Sequence, residues 1–185
     1  MKLDKLAKNI MDKQKKNIAL MGHMGSGKSV LGKLISKQLN FNHVDSDKLI
    51  EKKSNKTINE IFQTKGESYF RLIEENVILE TIYQKKLVLS LGGGSILSPK
   101  IRKALKGNFL TVFLDVDFAI LSKRLIKSKR RPLINDTNIE EKIKELDAIR
   151  RKFYLLADIT LKNHLTITDA LAEFRKKYIE FYEKY

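Results

Sequence analysis

The stretch IALMGHMGSGKSVLGKLI, residues 18–35, decides the fold. It passes from a short apolar segment through a glycine-rich turn into a segment with helical spacing. Inside it, Gly22-His23-Met24-Gly25-Ser26-Gly27-Lys28-Ser29 satisfies G-x-x-x-x-G-K-[ST], the pattern of a loop that wraps phosphate between a strand and a helix. The glycines let the backbone approach closely, so that successive N–H groups point at phosphate oxygens, and the helix N-terminus adds its partial positive charge. Lys28 can reach the β- and γ-phosphates, and the Ser29 hydroxyl can bind Mg²⁺. The stretch therefore reads as a nucleoside triphosphate site and leaves the phosphate acceptor to be found elsewhere.

The alternation begun there recurs along the chain. Short apolar runs stand at NIALM (17–21), NHVD (42–45), LVLSL (87–91), TVFLDV (111–116) and DITLKN (158–163), each bounded by glycine, aspartate or asparagine. These are marks of buried parallel strands. Helix punctuation lies between them. Thr57 to Glu60 (TINE) reads as a capping box, and Ser98-Pro99 reads as an N-cap followed by proline in the first helical position. Alternation of this kind argues for an α/β sandwich with a parallel sheet, whose ligands bind beyond the carboxyl ends of the strands.

At 185 residues the chain is long enough for one domain with a sizeable core. Cysteine is absent, which excludes disulfides, thiolate metal sites and a cysteine nucleophile. No apolar run approaches the roughly 20 residues of a membrane helix. The net charge of +15 admits nucleic acid, anionic membrane or small anionic substrates as partners. Its distribution argues against a nucleic-acid groove, because lysines gather in residues 1–16 and in KRLIKSKRRP (123–132) rather than along one track, and tryptophan is absent. The first 16 residues carry six lysines and lack the apolar core of a signal peptide. Leu3, Leu6, Ala7, Ile10 and Met11 instead fall at helical spacing, as expected of an extra helix docked on the domain or, as the lesser alternative, of a helix lying on a membrane surface.

Three features lie where an acceptor would sit. Asp45 and Asp47 follow the second strand; one can hold the metal or its water and the other accept a hydroxyl proton, although Asp47 would equally serve as a helix cap before Lys48. Gly92-Gly93-Gly94 follow the third strand, either as a plain tight turn or for a close backbone approach to a ligand. Arg71 has Glu74 and Glu75 at i+3 and i+4. This is either a surface ion pair or a guanidinium held ready for a substrate carboxylate, with Arg150 as the other jaw.

Together GHMGSGKS, DSD, IFQTKGESYFRLIEEN, LSLGGG, RRPLI and RRKFYLLADITL, spanning about residues 17–163, resemble the shikimate kinase family. The resemblance implies a nucleoside monophosphate kinase-like fold: a three-layer sandwich on a five-stranded parallel sheet, a helical substrate-binding segment (about 46–85) and a lid (about 124–138) within one domain, 17–185. It implies phosphorylation of the 3-hydroxyl of shikimate by ATP with Mg²⁺, by a cytoplasmic monomer that binds no nucleic acid and does not insert stably in membrane. By the same resemblance, Gly25, Ser26, Gly27, Lys28, Ser29 and Val30 bind ATP, Val30 standing where many members have threonine. Ser29 and Asp45 take the magnesium side, and Asp47 is the base. Arg71, Gly92, Gly93, Gly94 and Arg150 surround the substrate, with Glu74 orienting Arg71. Arg124 lies against the adenine, and Arg131 joins Lys28 in stabilising charge during transfer. A kinase of another small hydroxylated acid, such as gluconate, is the alternative on the same scaffold.

Overall fold

The computed structural model describes residues 17–127, 139–162 and 166–183. The basic extension (1–16) and residues 128–138 of the expected lid, Arg131 among them, lie outside the described residues. The strands are β1 (Asn17–Met21), β2 (Asn42–Asp45), β3 (Leu87–Ser90), β4 (Phe109–Asp115) and β5 (Ile159–Lys162). The helices are α1 (Lys28–Leu39), α2 (Ser46–Ser54), α3 (Ile58–Thr81), α4 (Pro99–Leu105), α5 (Phe118–Lys127), α6 (Ile139–Tyr154) and α7 (Ile167–Glu183), with a 3₁₀ turn at Ser95–Leu97.

All five strands are parallel, in the order β2-β3-β1-β4-β5. Successive residues of β1 point to opposite faces, and both faces are covered. Ile18 and Leu20 pack with Leu31 and Ile35 of α1 and with Phe174 and Tyr178 of α7. Ala19 and Met21 pack with Ile78 of α3, Ile101 of α4 and Tyr154 of α6. A strand buried on both sides needs a continuous apolar run rather than alternation, which is why NIALM reads as it does. Each such aliphatic side chain contributes about 1.5–3 kcal/mol by burial. The result is the three-layer sandwich expected.

Local signals match closely where they are self-contained. β1 and β2 fall on the residues read from sequence, and α1 starts at Lys28, directly after the glycine-rich turn. The capping box forms, with Glu60 N–H donating to Thr57 Oγ1 at 3.2 Å and Thr57 N–H to Glu60 Oε2 at 2.7 Å. Ser98 Oγ likewise accepts from Ile101 N–H at 3.2 Å. β4 starts at Phe109, before the expected 111, and β5 starts at Ile159, after the expected 158.

Helix α3 is broken at Gly66, whose φ of 78° and ψ of 174° a side chain would make strained. The break separates a first segment carrying Ile58 and Phe62 from a second carrying Phe70, Arg71 and Glu74. Both segments pack on α2 through a small separate core of Ile50, Ile61, Phe70 and Val77. Among the described residues no helix is long and apolar enough to cross a membrane.

Candidate active site

The loops after β1, β2 and β3 meet at the carboxyl end of the sheet. Lys28, in the first turn of α1, is buried and donates from Nζ to Gly22 O at 2.8 Å and His23 O at 2.7 Å, both carbonyls of its own loop. Ser29 Oγ donates to Asp45 Oδ2. The other Asp45 oxygen accepts from Lys48 N–H at 3.2 Å and caps α2. The cap is thus Asp45 rather than Asp47. Ser46, between them, accepts from Gly92 N–H on Oγ at 2.8 Å and ties the glycine loop to α2. Asp47 lines the cavities beyond.

The glycine run is packed, not merely turned. A Cβ on Gly92 would lie 2.6 Å from both Asp47 Oδ1 and Glu74 Oε1, and one on Gly94 would lie 2.5 Å from the Arg71 guanidinium. Glu74 cannot yield: it is 2% exposed and accepts from Arg71 Nη1 at 2.7 Å and Ser95 Oγ at 2.6 Å. Gly92→Ala is therefore expected to shift the glycine loop away from Glu74 and Asp47 together, lowering the melting temperature and lowering kcat/KM by on the order of 10²-fold, the cost of roughly 1 Å misplacement. Steady-state kinetics beside a thermal melt checks it.

Arg71 pairs with Glu74 as read from sequence, but its second partner is Glu67 at i−4, with Nη2 to Oε1 at 3.0 Å, rather than Glu75. Glu75 is taken by Ser98 Oγ at 2.5 Å and Lys100 Nζ at 2.8 Å, from outside α3. Burial opposes the Arg71 charge, yet Glu74 and Glu67 hold its pKa above the usual value. Arg150, on α6, is only 5% exposed, and its buried Nε has no hydrogen-bond partner. Arg150, Arg71, Asp47 and Gly93 line one cavity of about 290 Å³, with Phe62 and Phe70 as its apolar floor.

Two further cavities continue from it. One of about 230 Å³ runs along Gly25, Gly27, Lys28 and Ser29 and shares Asp45, Asp47 and Gly93 with the first. The next, about 300 Å³ and mostly apolar, is bounded by Val30, Leu114, Val116, Leu161 and Arg124. Arg124 Nη1 also donates to Gly25 O at 3.2 Å. Thr166, Ile167 and Ala170 of the β5–α7 junction close that wall. No sequence motif marks them, because an apolar wall needs shape rather than particular residues.

Among the described residues there is no cluster of three or more metal-ligating side chains. The Ser29 hydroxyl and Asp45 carboxylate, in contact beside the phosphate channel, are hard oxygen donors. They suit Mg²⁺, which commonly binds through one or two protein oxygens together with substrate phosphates and water.

Two histidines support this end of the sheet, and neither was read as functional from sequence. His23 Nε2 lies 2.8 Å from Asp147 Oδ1, and His43 Nε2 lies 3.0 Å from Ser90 Oγ, which itself donates to Lys28 O at 3.1 Å. Burial, the largest cause, lowers both pKa values, against the opposing effects of Asp147 on His23 and Asp45 on His43. The unfolded chain, with ordinary histidines near 6.5, then takes up protons first. Their contribution to stability is fully present above about pH 6.5 and is lost as pH falls from there through the lowered folded values. Melting temperature is expected to drop between about pH 7 and 5, and less so in a His43→Gln variant.

The sequence model of the shikimate kinase family matches residues 24–181. Shikimate kinase of Thermoanaerobacter pseudethanolicus is 36% identical over 165 residues, covering 89% of this chain and 96% of that one. Shikimate kinase of Bartonella henselae is 41% identical over 147 residues, covering 80% of this chain and 70% of that one. Among solved structures, shikimate kinase from Acinetobacter baumannii in complex with shikimate superposes with a TM-score of 0.84 at 32% identity, covering 93% of this chain and 95% of that one.

Proposed function

The chain belongs to the shikimate kinase family, and from that membership we propose that it transfers the γ-phosphoryl group of ATP to the 3-hydroxyl of shikimate, a step toward the aromatic amino acids. The observation that carries the reading is the first cavity, where the guanidinium groups of Arg71 and Arg150 and the carboxylate of Asp47 line a space of about 290 Å³, with Asp45 on its phosphate side. Arg150 and Arg71 suit a carboxylate, which arginine grips through paired hydrogen bonds. Glu74 keeps Arg71 aimed. Asp47 stands between this cavity and the phosphate channel, where it would accept the proton of the attacking hydroxyl.

The donor lies along the other two cavities. The backbone of Gly25 to Ser29 and the Lys28 ammonium would hold the phosphates, with Lys28 exchanging its two loop carbonyls for phosphate oxygens. Ser29 and Asp45 would hold Mg²⁺, which neutralises phosphate charge when bound. Val30, Arg124 and the wall at Ile167 would receive the base. Most of the chain's contribution is thus positioning and electrostatic stabilisation, as phosphoryl transfer requires. The role of Arg131 as lid arginine rests on its RRPLI context alone. Action as a monomer in the cytoplasm belongs to the same proposal, and the need for ATP supports that location.

The test is ADP release from MgATP with shikimate, gluconate or a nucleoside monophosphate as acceptor. ADP formed only with shikimate is expected. A response to gluconate in its place overturns the assignment of Arg71 and Arg150 as a shikimate carboxylate clamp.

A further inference from the structure

Helix α6 presents Asp147, Arg150, Arg151 and Tyr154 at i, i+3, i+4 and i+7, which is one helical face. Each side chain ends on a different part of the molecule. Asp147 Oδ1 meets His23 Nε2 at 2.8 Å, and Arg150 lines the acceptor cavity. Arg151 makes two 3.2 Å hydrogen bonds to Asp115 at the end of β4 and lies 3.5 Å from Asp147 Oδ2. Tyr154, its phenol pushed up to about 12 by burial, donates to Gly93 O at 2.5 Å.

His23 belongs to the phosphate loop, at a position the loop pattern leaves open to any residue. Its side chain reaches α6, while its own carbonyl accepts from Lys28 Nζ at 2.7 Å. The imidazole is 4% exposed, walled by the rings of Tyr154 at 5.2 Å and Phe118 at 6.4 Å, and Asp147 is 6% exposed. Two polar groups so deeply buried are costly to place unless they satisfy one another.

We infer that His23 and Asp147 are a positioning pair that sets the phosphate loop at a fixed spacing from α6, so that Lys28 on the donor side and Arg150 on the acceptor side remain in line. Neither residue reaches the cavities through which substrates are bound. The groups facing the imidazole are Asp147, Arg150 and Tyr154 from α6 and Lys28 from α1, with Arg151 and Asp115 of β4 behind Asp147; Phe118 of α5 adds only a ring. Burial, with the cations of Arg150 and Lys28 nearby, favours the neutral ring, so Nε2–H donates to the Asp147 carboxylate. The pair matters because the two substrates bind to different elements: the donor to the loop after β1, the acceptor carboxylate partly to α6. Each site can be intact while their alignment is lost.

The inference rests on the phosphoryl-transfer reading. Turnover of shikimate by the unaltered protein tests that reading by itself, whereas ratios among variants test the pair. His23→Leu, Asp147→Ala and the double variant are compared for kcat and for both KM values. Each single substitution is expected to lower kcat about tenfold with each KM within about threefold, a misalignment rather than a binding defect. The double variant is expected to lose about the same tenfold, not the roughly hundredfold of independent sites. His23→Gln places an N–H near the position of Nε2–H and does not titrate. It is expected to keep kcat within about threefold of the unaltered protein. A multiplicative double variant, or a glutamine variant as slow as leucine, overturns the pair. Should His23→Leu not fold, the glutamine variant decides alone.

Discussion

Asp47→Asn is expected to bind MgATP as the unaltered protein does and to phosphorylate shikimate at least about a hundredfold more slowly. The asparagine keeps the shape that Gly92 is packed against, where even a methyl group would lie 2.6 Å from Asp47 Oδ1. It leaves intact the Ser29–Asp45 contact and the Lys48 N–H bond that caps α2, since neither involves Asp47. What it removes is the capacity to accept a proton at the border of the acceptor cavity and the phosphate channel. Calorimetric titration with MgATP and a coupled assay for ADP separate the two effects. Near-normal turnover in a variant that binds ATP removes Asp47 as the base.

Arg150→Met is expected to move activity and stability in opposite directions. The guanidinium is 5% exposed, its Nε lacks a hydrogen-bond partner, and no carboxylate among the described residues pairs with it. Holding such a cation in the folded protein costs free energy that a substrate carboxylate would offset. Methionine fills similar volume without the charge, so melting temperature should be unchanged or raised by a few degrees. kcat/KM for shikimate should fall at least about a hundredfold, with KM for ATP within about threefold. Arg71→Met should differ: it strands Glu74, 2% exposed, without its ion pair, and should destabilise by about 3–5 kcal/mol. Thermal melts of the two variants side by side make the contrast. Equal loss of stability in both would mean that Arg150 is a structural cation.

The parts of the molecule legible in the sequence are those whose cause is local. The phosphate loop declares itself because strand, turn and helix are contiguous, and the boundaries of α1 follow from it. The capping box at Thr57 and Glu60 is closed by residues three apart. The acceptor side is harder to read. Glu67 and Glu75 are both four residues from Arg71, and helical spacing alone cannot choose between them. Packing chooses, because Ser98 and Lys100 draw Glu75 away. Asp45 and Asp47 are both credible caps for the helix that follows them; the strand delivers Asp45 to that place and leaves Asp47 facing the cavity. The contact of His23 with Asp147 spans 124 residues and carries no periodic trace. The wall at Ile167 is equally silent, being one apolar surface among many.

The order of strands has an evolutionary consequence. Asp45 to Asp47 and Gly92 to Gly94 follow β2 and β3 on one flank of β1, whereas Leu114, Val116 and Leu161 of the nucleotide wall lie on or beside β4 and β5 on the other flank. Substitutions between residues 46 and 94 can therefore reshape what is phosphorylated without disturbing the wall proposed to receive the nucleotide. A duplicated copy of such a chain would inherit a working donor half and need only explore acceptors. Arg150 is the exception, since it lines the acceptor cavity from α6, which lies between β4 and β5 in the chain. A lineage changing its acceptor should change that arginine together with residues of the first flank, and sequences along such a lineage would carry the record.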